Sequence, residues 1–389
     1  MLPVVTKSSG AMLALLLLTT APASAALITQ TNLVSNVPGL ATITDPLLVN
    51  PWGFSHSATS PFWTSNQGSN SSTLYNVTGP TGLNVVKNNI APNGFVAIPT
   101  IPGGPNGPTG QVFNPNATGF LVGNGGNGNK SNFIFANLNG TISAWNTGPT
   151  AIVQATVQGA VYTSLAINQA STQLFAANVA SGAIDVFNSS FGQVAVAPGA
   201  FATPPAISAL GLIPFNTQDI GGKLYVTYAP QGLAAQQNAV GGQGAIAVFD
   251  ETTGLLLNTI INGQLASPWG ITVAPAGFGN FGGALLVGNF SFLESEINAF
   301  DSVTNAFLGS IPINTGSASA GGLWAIGFGT GGNNGSPNTL YFLDGINGET
   351  GGLFGAITAV PEPATVALFS MGMMGLGLMM ARRRKTKTL

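Results

Sequence analysis

Residues 174–187, with the sequence LFAANVASGAIDVF, contain two strand-like runs separated by a short turn that includes Gly182. The first run, residues 174–178, ends in Asn178, and the second, residues 183–187, alternates between side chains of different polarity. Alternation with a period of two, interrupted by turn residues, is typical of antiparallel strands. The segment therefore predicts a strand–turn–strand unit.

The same unit recurs along the chain. The first runs are residues 62–66, 133–137, 174–178, 224–228, 285–289 and 340–344, and second runs follow at 140–145, 182–187, 244–249 and 296–301. Apolar leads precede several first runs, at residues 51–54, 164–167, 268–271 and 323–326. Six copies predict an all-β fold, a β-propeller with six blades, because each blade buries its faces only against its neighbours. A pair of β-sandwiches, the alternative fold, does not account for six recurrences.

The longest spacing between copies is filled by residues 79–130, which are rich in Gly, Asn and Pro. Such residues favour turns and irregular connections. We therefore expect this segment to form a surface loop.

The composition excludes several classes of function. Only 5% of the residues are charged, whereas 45% are hydrophobic, so a large core can be buried. Residues 26–360 carry ten acids against three lysines, a net charge of −7, which is unlike the basic surface that nucleic acids require. The absence of cysteine excludes disulfides, thiolate catalysis and cysteine-ligated metals.

The N-terminus has the features of an export signal. Lys7 precedes the apolar run 11–18, and the small residues Ala23, Ser24 and Ala25 follow. A positive start, a short apolar centre and small residues for signal peptidase predict a signal peptide over residues 1–25, cleaved after Ala25. The mature domain is then predicted over residues 26–358.

The C-terminus carries a second signal, over residues 359–389. Pro361-Glu362-Pro363 is followed by eighteen uncharged residues, 364–381, and then by Arg382, Arg383, Arg384 and Lys385. Eighteen residues suffice for a transmembrane helix, and the basic cluster is expected on the cytoplasmic side. This arrangement resembles the PEP-CTERM sorting signal. The resemblance implies recognition and cleavage by an exosortase, transient anchoring in the inner membrane, and delivery to the cell surface or the extracellular matrix.

Several motifs in the body resemble a family of exported bacterial NHL-like β-propellers. They are Pro51-Trp52-Gly53, Pro108-Thr109-Gly110, Pro214-Phe215-Asn216, Pro268-Trp269-Gly270 and Gly352-Leu353-Phe354-Gly355, together with residues 225–229 and 285–290. The resemblance covers most of residues 30–358 and implies a fold and a location. It implies no activity and no catalytic residues.

Few residues offer chemistry. His56 is the only histidine, and no nucleophile elbow or partner acid accompanies it, which favours a loop histidine. The polar ends of the first runs are a candidate site for a hard cation such as Ca²⁺, with the ligands Asn137, Asn178, Asn289 and Asp344. Alternatively, each of these side chains caps its own turn, which suits a feature that recurs from blade to blade. Asp185, Asp250 and Asp301 are expected to close turns in the same way.

Two functions follow from these observations. The first is a non-catalytic surface or matrix propeller without a cofactor, which binds polysaccharide or surface proteins and whose partners during export are signal peptidase and exosortase. The alternative is a cation-dependent, lactonase-like hydrolase that acts in the propeller channel.

Overall fold

Six largely antiparallel sheets form the body of the protein in the computed structural model, which describes residues 28–89 and 93–359. The predicted signal peptide, over residues 1–25, and residues 360–389 of the sorting segment lie outside the described residues. Within the described ranges, no helix is long and apolar enough to cross a membrane. Each sheet is one blade, so the prediction of a six-bladed β-propeller is confirmed.

The strands follow one another along the chain, blade by blade. The chain begins with β1 (Ile28–Ser35) and β2 (Ile43–Thr44), and blade 1 follows as β3 (Pro51–Ser55), β4 (Phe62–Asn66), β5 (Ser71–Thr78), β6 (Asn84–Lys87) and β7 (Val96–Ala97). Blade 2 comprises β8 (Pro108–Phe113), β9 (Phe133–Asn137), β10 (Thr141–Trp145) and β11 (Ile152–Thr156), and blade 3 comprises β12 (Ala166–Ile167), β13 (Gln173–Asn178), β14 (Ala183–Asn188) and β15 (Gln193–Val194). Blade 4 comprises β16 (Leu212–Asp219), β17 (Lys223–Pro230), β18 (Ala245–Asp250) and β19 (Leu256–Ile261), with the helices α1 (Pro205–Ser208) before it and α2 (Leu233–Gln237) inside it. Blade 5 comprises β20 (Pro268–Val273), β21 (Leu285–Asn289), β22 (Glu296–Phe300) and β23 (Phe307–Pro312), and the last strands are β24 (Leu323–Phe328), β25 (Thr339–Asp344) and β26 (Leu353–Ala359). Two single 3₁₀ turns occupy Gln67–Ser69 and Gly279–Phe281.

The recurring unit in the sequence corresponds to the second and third strands of a blade. In blade 3, β13 pairs with β14 in register from Gln173↔Asn188 to Asn178↔Ala183. The apolar leads are the innermost strands, which surround the central channel; β3, β20 and β24 are examples. Each blade therefore runs from an inner strand at the channel to an outer strand at the rim.

The Pro-x-Gly motifs of the inner strands allow neighbouring blades to approach closely. A Cβ added to Gly53 would lie 2.6 Å from the Thr109 carbonyl oxygen of blade 2, and one at Gly110 would collide with the backbone of Leu165 in blade 3. A Cβ at Gly270 would likewise collide with Trp324 of blade 6. Glycine is therefore required where the inner strands converge on the channel.

The predicted surface loop over residues 79–130 is wrong as a description of the whole segment. It contains β6, β7 and β8, and its longest run of exposed residues among those described is the Pro- and Gly-rich part, residues 100–105. Pro108 is tolerated because it begins β8, where its missing N–H removes no bond from the middle of a ladder. Because turn-forming residues dominate this segment, the inner strand of blade 2 was not predicted from the sequence.

Blade 6 is assembled from both ends of the described chain. β1 pairs antiparallel with β26, from Ile28↔Ala359 to Ser35↔Leu353, and β2 adds to the outer side of β1. This pairing closes the ring of blades.

A buried ion pair joins this closing segment to blade 1. Asp45 is 1% exposed and lies 2.8 Å from Lys87 Nζ, while the Tyr75 hydroxyl donates to Asp45 Oδ2 at 2.7 Å. The Asp45 carboxylate also accepts the Leu47 N–H at 3.1 Å. The pair therefore ties the segment between β2 and β3 to strands β5 and β6.

Lys87→Met is expected to lower the free energy of unfolding by about 2 kcal/mol, because it leaves the Asp45 carboxylate buried without its cation. We place the loss below the range for fully buried pairs, since Lys87 is itself 26% exposed. Urea unfolding monitored by tryptophan fluorescence measures the change. Lys223→Met, at an exposed lysine of β17, is the matched control, and equal losses in the two variants would contradict the assignment.

Candidate functional site

One mouth of the central channel widens into a cavity of about 460 Å³. All six blades contribute to its wall, mainly through the later residues of their inner strands. Its polar lining includes Ser55, Gln111, Asn168, Asn216, Gln218 and Asp219. Concave sites of this size with a few convergent polar groups are where proteins bind small molecules.

An aromatic plug lies next to this cavity inside the channel. Trp52 and Trp324 are stacked with ring centroids 3.6 Å apart, and Trp269 packs edge-on against Trp324 at 5.6 Å. Phe290 and Phe215 contact the same Trp324 ring, at 4.2 and 6.0 Å. Trp269 also lines the cavity, so the plug supplies part of its apolar surface.

Two tryptophans of the plug are held by hydrogen bonds as well as by packing, whereas the Trp52 indole N–H has no partner among the described residues. The indole N–H of Trp324 donates to Asn50 Oδ1 at 2.9 Å, and that of Trp269 donates to the Thr163 carbonyl at 3.1 Å. The other two tryptophans, Trp63 and Trp145, pack together between blades 1 and 2. All five tryptophans are buried, as expected for core residues.

Three polar atoms of the lining residues lack a hydrogen-bond partner within the described part of the chain. They are Ser55 Oγ, Gln111 Oε1 and Asp219 Oδ2. Gln111 is only 5% exposed, and its amide N–H₂ donates to the Trp63 carbonyl, which fixes the side chain. Buried polar atoms are nearly always satisfied, so these atoms mark positions where a ligand or ordered water completes the bonding.

Asp219, a carboxyl group of the cavity wall in blade 4, has a second carboxyl group, that of Glu251, beside it. Asp219 ends the inner strand β16 and shares a hydrogen bond with Glu251, which follows β18. Burial, and next the hydrogen bond and charge of Glu251, raise the pKa of Asp219 to about 7. The Asp219 carboxyl is therefore about half protonated at neutral pH.

The sequence did not reveal this pair. Residues 212–219 were not recognised as an inner strand, although Pro214-Phe215-Asn216 matches the Pro-x-x leads of other blades. When Pro214 is aligned with Pro268, Asp219 corresponds to Val273, the last residue of the inner strand β20. This alignment places Asp219 at the channel mouth.

His56 lies in the cavity wall immediately after β3. Its Nδ1 is 3.1 Å from the Ser57 carbonyl oxygen and its Nε2 is 3.2 Å from that of Phe328. Burial lowers its pKa below the usual value, against the smaller opposing effects of the two carbonyls. The imidazole is thus neutral at neutral pH and has both nitrogens against backbone oxygens, as suits the predicted loop histidine.

The proposed cation ligands lie at the ends of the second strands and bond mainly within their own blades. Asn137 Nδ2 donates to Thr141 Oγ1 at 3.0 Å, and Asn178 Nδ2 donates to Asp185 at 2.9 Å. Asn289 Oδ1 accepts the Ala266 N–H at 3.1 Å. This geometry agrees with the alternative of turn capping, and among the described residues no three His, Cys, Asp or Glu side chains converge. The calcium site stays a prediction.

Asp344, the fourth proposed ligand, has a different environment. It is completely buried, and neither carboxylate oxygen has a hydrogen-bond partner within the described ranges. Burial alone raises its pKa to about 7.

The remaining acids have local roles. Asp250 and Asp301 each accept two backbone N–H groups and a threonine hydroxyl in the turn that follows, as predicted. Asp185 is different: it lies inside β14 and accepts the Tyr162 hydroxyl at 2.8 Å. The Glu349 carboxylate accepts hydrogen bonds from the side-chain amides of Asn50, at 3.1 Å, and Gln237, at 2.7 Å.

Two curated proteins of similar sequence are viral. The chain is 30% identical over 283 residues to the uncharacterized protein R648 of Acanthamoeba polyphaga mimivirus, across 69% of this chain and 66% of that protein. It is 28% identical over 278 residues to the uncharacterized protein L690 of the same virus, across 69% of this chain and 70% of that protein. The chain thus spans about two thirds of the length of each relative.

Solved structures with a similar fold include a virginiamycin B lyase and a hydrazine synthase. The selenomethionine-substituted lyase from Staphylococcus aureus is 13% identical with a TM-score of 0.49, across 86% of this chain and 99% of the lyase. Hydrazine synthase from Kuenenia stuttgartiensis is 13% identical with a TM-score of 0.47, across 79% of this chain and 76% of the synthase. Likeness at this level carries no argument about activity.

The end of the chain does match a known family. Residues 359–385 match the PEP-CTERM protein-sorting motif, as the Pro361-Glu362-Pro363 sequence predicted. The motif implies export, transient membrane anchoring and processing by an exosortase. The chain is therefore an exported six-bladed β-propeller protein that ends in a PEP-CTERM sorting motif.

Proposed function

We propose that this protein is displayed at the cell surface or in the extracellular matrix as a non-catalytic binding propeller. Its ligand is an uncharged or cationic, hydroxyl-rich small molecule or chain end, such as a sugar residue. The observation that carries the proposal is the cavity with its three unsatisfied polar atoms, Ser55 Oγ, Gln111 Oε1 and Asp219 Oδ2.

The chemistry of these atoms defines the ligand class. Gln111 Oε1 accepts hydrogen bonds only, and Ser55 Oγ and Asp219 Oδ2 also accept them, so the ligand must present O–H or N–H donors. Of the described residues that line the cavity, none is lysine or arginine, which disfavours uronic acids, phosphates and other anions. Phe54 and Phe328, which line the cavity and are only partly buried, provide apolar surface for the carbon face of a sugar ring.

Calorimetric titration of the folded protein with neutral oligosaccharides and with uronic-acid oligosaccharides tests the proposal. We expect binding of a neutral saccharide, weakened roughly 5–10-fold by Ser55→Ala, because one hydrogen bond contributes about 1 kcal/mol. The variant should fold normally, since Ser55 Oγ makes no protein hydrogen bond in the described part of the chain.

Ser302→Ala, at an exposed serine outside the cavity, is the matched control and should leave affinity unchanged. Failure of every neutral saccharide to bind, or equal affinities for the wild type and Ser55→Ala, would refute a saccharide site in this cavity.

A cation-dependent hydrolase is the second candidate, and Asp344 is the observation in its favour. A buried carboxylate with two oxygens that lack partners in the described structure has the chemistry of a cation ligand. The response of the Asp344→Asn variant to calcium separates this function from the first.

A further inference from the structure

The charges at the cavity wall favour some hydroxyl-rich ligands over others. This inference rests on the proposed function. Glu251 is 8% exposed, and its two oxygens lie 3.2 and 3.0 Å from the Gln169 backbone nitrogen, so this carboxyl is fixed in place. Asp219 is hydrogen-bonded to it, and Asp219 Oδ2 accepts no hydrogen bond from the described residues. Asp219, which lines the cavity, thus contributes a carboxyl group whose hydrogen bonding is incomplete.

No cationic side chain of the lining balances this charge. The cavity wall, as far as the structure describes it, contains no lysine or arginine, and His56 is neutral. Gln111 Oε1, on a side chain that is 95% buried, adds a second acceptor that has no partner among the described residues. Carboxyl and amide oxygens without a cation are suited to a donor-rich, positively charged group.

We propose that the Asp219–Glu251 pair binds an ammonium group carried by a hydroxyl-rich ligand, such as an amino sugar. The ammonium takes the place of the proton on Asp219, and this proton passes to the solvent. No covalent bond forms or breaks.

The groups around Asp219 determine the pH dependence. Its own hairpin contributes Lys223, Tyr225 and Tyr228 on β17, and β18 ends in Asp250, which Glu251 follows. The neighbouring strands β12, β13 and β20 carry no titratable side chain, and Asp185 on β14 is already bonded to Tyr162. Glu251 is therefore the main partner.

The direction of the pH effect follows from the raised pKa of Asp219, which is about 7. Below this pH the Asp219 carboxyl is mainly protonated and uncharged, whereas above it Asp219 is mainly ionised. An aliphatic ammonium stays charged throughout, because its own pKa is near 10. Affinity for the ammonium ligand should therefore rise about tenfold between pH 6 and pH 8.

The test compares glucose with 6-amino-6-deoxyglucose, which differ only in one hydroxyl replaced by an amine. Titration calorimetry at pH 6 and pH 8, in buffers of different ionisation enthalpy, measures affinity and proton release together. We expect the amino sugar to bind at least tenfold more tightly at pH 8 and to release about half a proton at pH 7. Asp219→Asn should abolish both the preference and the proton release, whereas Asp301→Asn, at an exposed turn outside the cavity, should not.

The outcomes separate this inference from the proposed function. Equal binding of both sugars, or tight binding of neutral oligosaccharides without preference for the amine, would overturn the ammonium site and leave the saccharide cavity intact. Absence of binding by the two sugars and by all neutral oligosaccharides would overturn both. A preference for the amine that persists in Asp219→Asn would also overturn the assignment to this carboxyl pair.

Discussion

Replacing Asp344 with asparagine is expected to stabilise the propeller by roughly 4 kcal/mol above neutral pH, because each unit of pKa shift corresponds to about 1.4 kcal/mol. The carboxyl is fully buried without a partner in the described structure, and its pKa is raised from 3.8 to about 7. Asparagine has nearly the same shape and carries no charge. The variant therefore removes the cost of a buried carboxylate.

The stabilisation by Asp344→Asn is expected to depend on pH in a characteristic way. A carboxyl whose folded pKa is raised contributes stability that is fully present below the unfolded pKa and is lost as the pH rises through the folded pKa. The difference between Asp344→Asn and the wild type should accordingly be close to zero near pH 4 and should grow until the pH exceeds about 7. Urea unfolding curves at several pH values measure this difference.

Asp301→Asn is the matched control with the opposite sign. Hydrogen bonds from the Thr304 backbone and side chain lower the pKa of this exposed carboxyl, so its ionised form is the favoured one and its replacement should reduce stability at neutral pH.

Calcium provides the decisive comparison for Asp344. A rise in melting temperature on addition of calcium, lost in Asp344→Asn, would contradict our expectation and would support the cation site and the hydrolase. Stabilisation by the substitution, without a calcium effect on the wild type, favours the non-catalytic propeller.

Trp324→Ala is expected to lower the free energy of unfolding by about 3–5 kcal/mol, the usual range for a large aromatic side chain removed from a core. Trp324 is completely buried and contacts Trp52, Trp269, Phe215 and Phe290, which come from three other blades. Its removal also leaves Asn50 Oδ1 without the indole N–H. Guanidinium unfolding monitored by circular dichroism measures the loss.

Trp324→Phe separates packing from hydrogen bonding. It retains an aromatic ring in the plug but loses the N–H, so the expected loss is smaller, about 1–3 kcal/mol. A loss of less than about 1 kcal/mol for Trp324→Ala would show that the plug does not hold the blades together.

The repeat made the fold predictable from sequence. The runs that end in Asn66, Asn137 and Asn289 lie at equivalent places in three blades, because a hairpin is specified by its own alternation and turn residues. The inner strand Pro108–Phe113 was missed since the Pro- and Gly-rich sequence around it has the composition of a loop. Its strand character comes from contact with blades 1 and 3, which local sequence does not encode.

The candidate site was less predictable, for a physical reason. Asp219 and Glu251 belong to different strands and are 32 positions apart, so only the assembled blade makes them neighbours. The Asn and Asp residues that end the second strands were visible as a pattern, yet the pattern could not tell a cation ligand from a turn cap. Asp344 differs from Asn137 and Asn289 through the burial of its charge, a property that depends on the surrounding blades.

The pairing of β1 with β26 has a consequence for how the protein reaches its folded state. These strands are separated by more than 300 residues of chain, and contacts of such long range form slowly. Since an exported chain crosses the membrane from its N-terminus onward, β1 cannot pair with β26 until nearly the whole body has been translocated. The ring of blades is therefore incomplete during export, and the pairing of β1 with β26 is the step that completes the fold. The two strand ends that close it, at Ile28 and Ala359, also lie side by side, so the sorting motif begins at the same edge of the propeller as the first described strand.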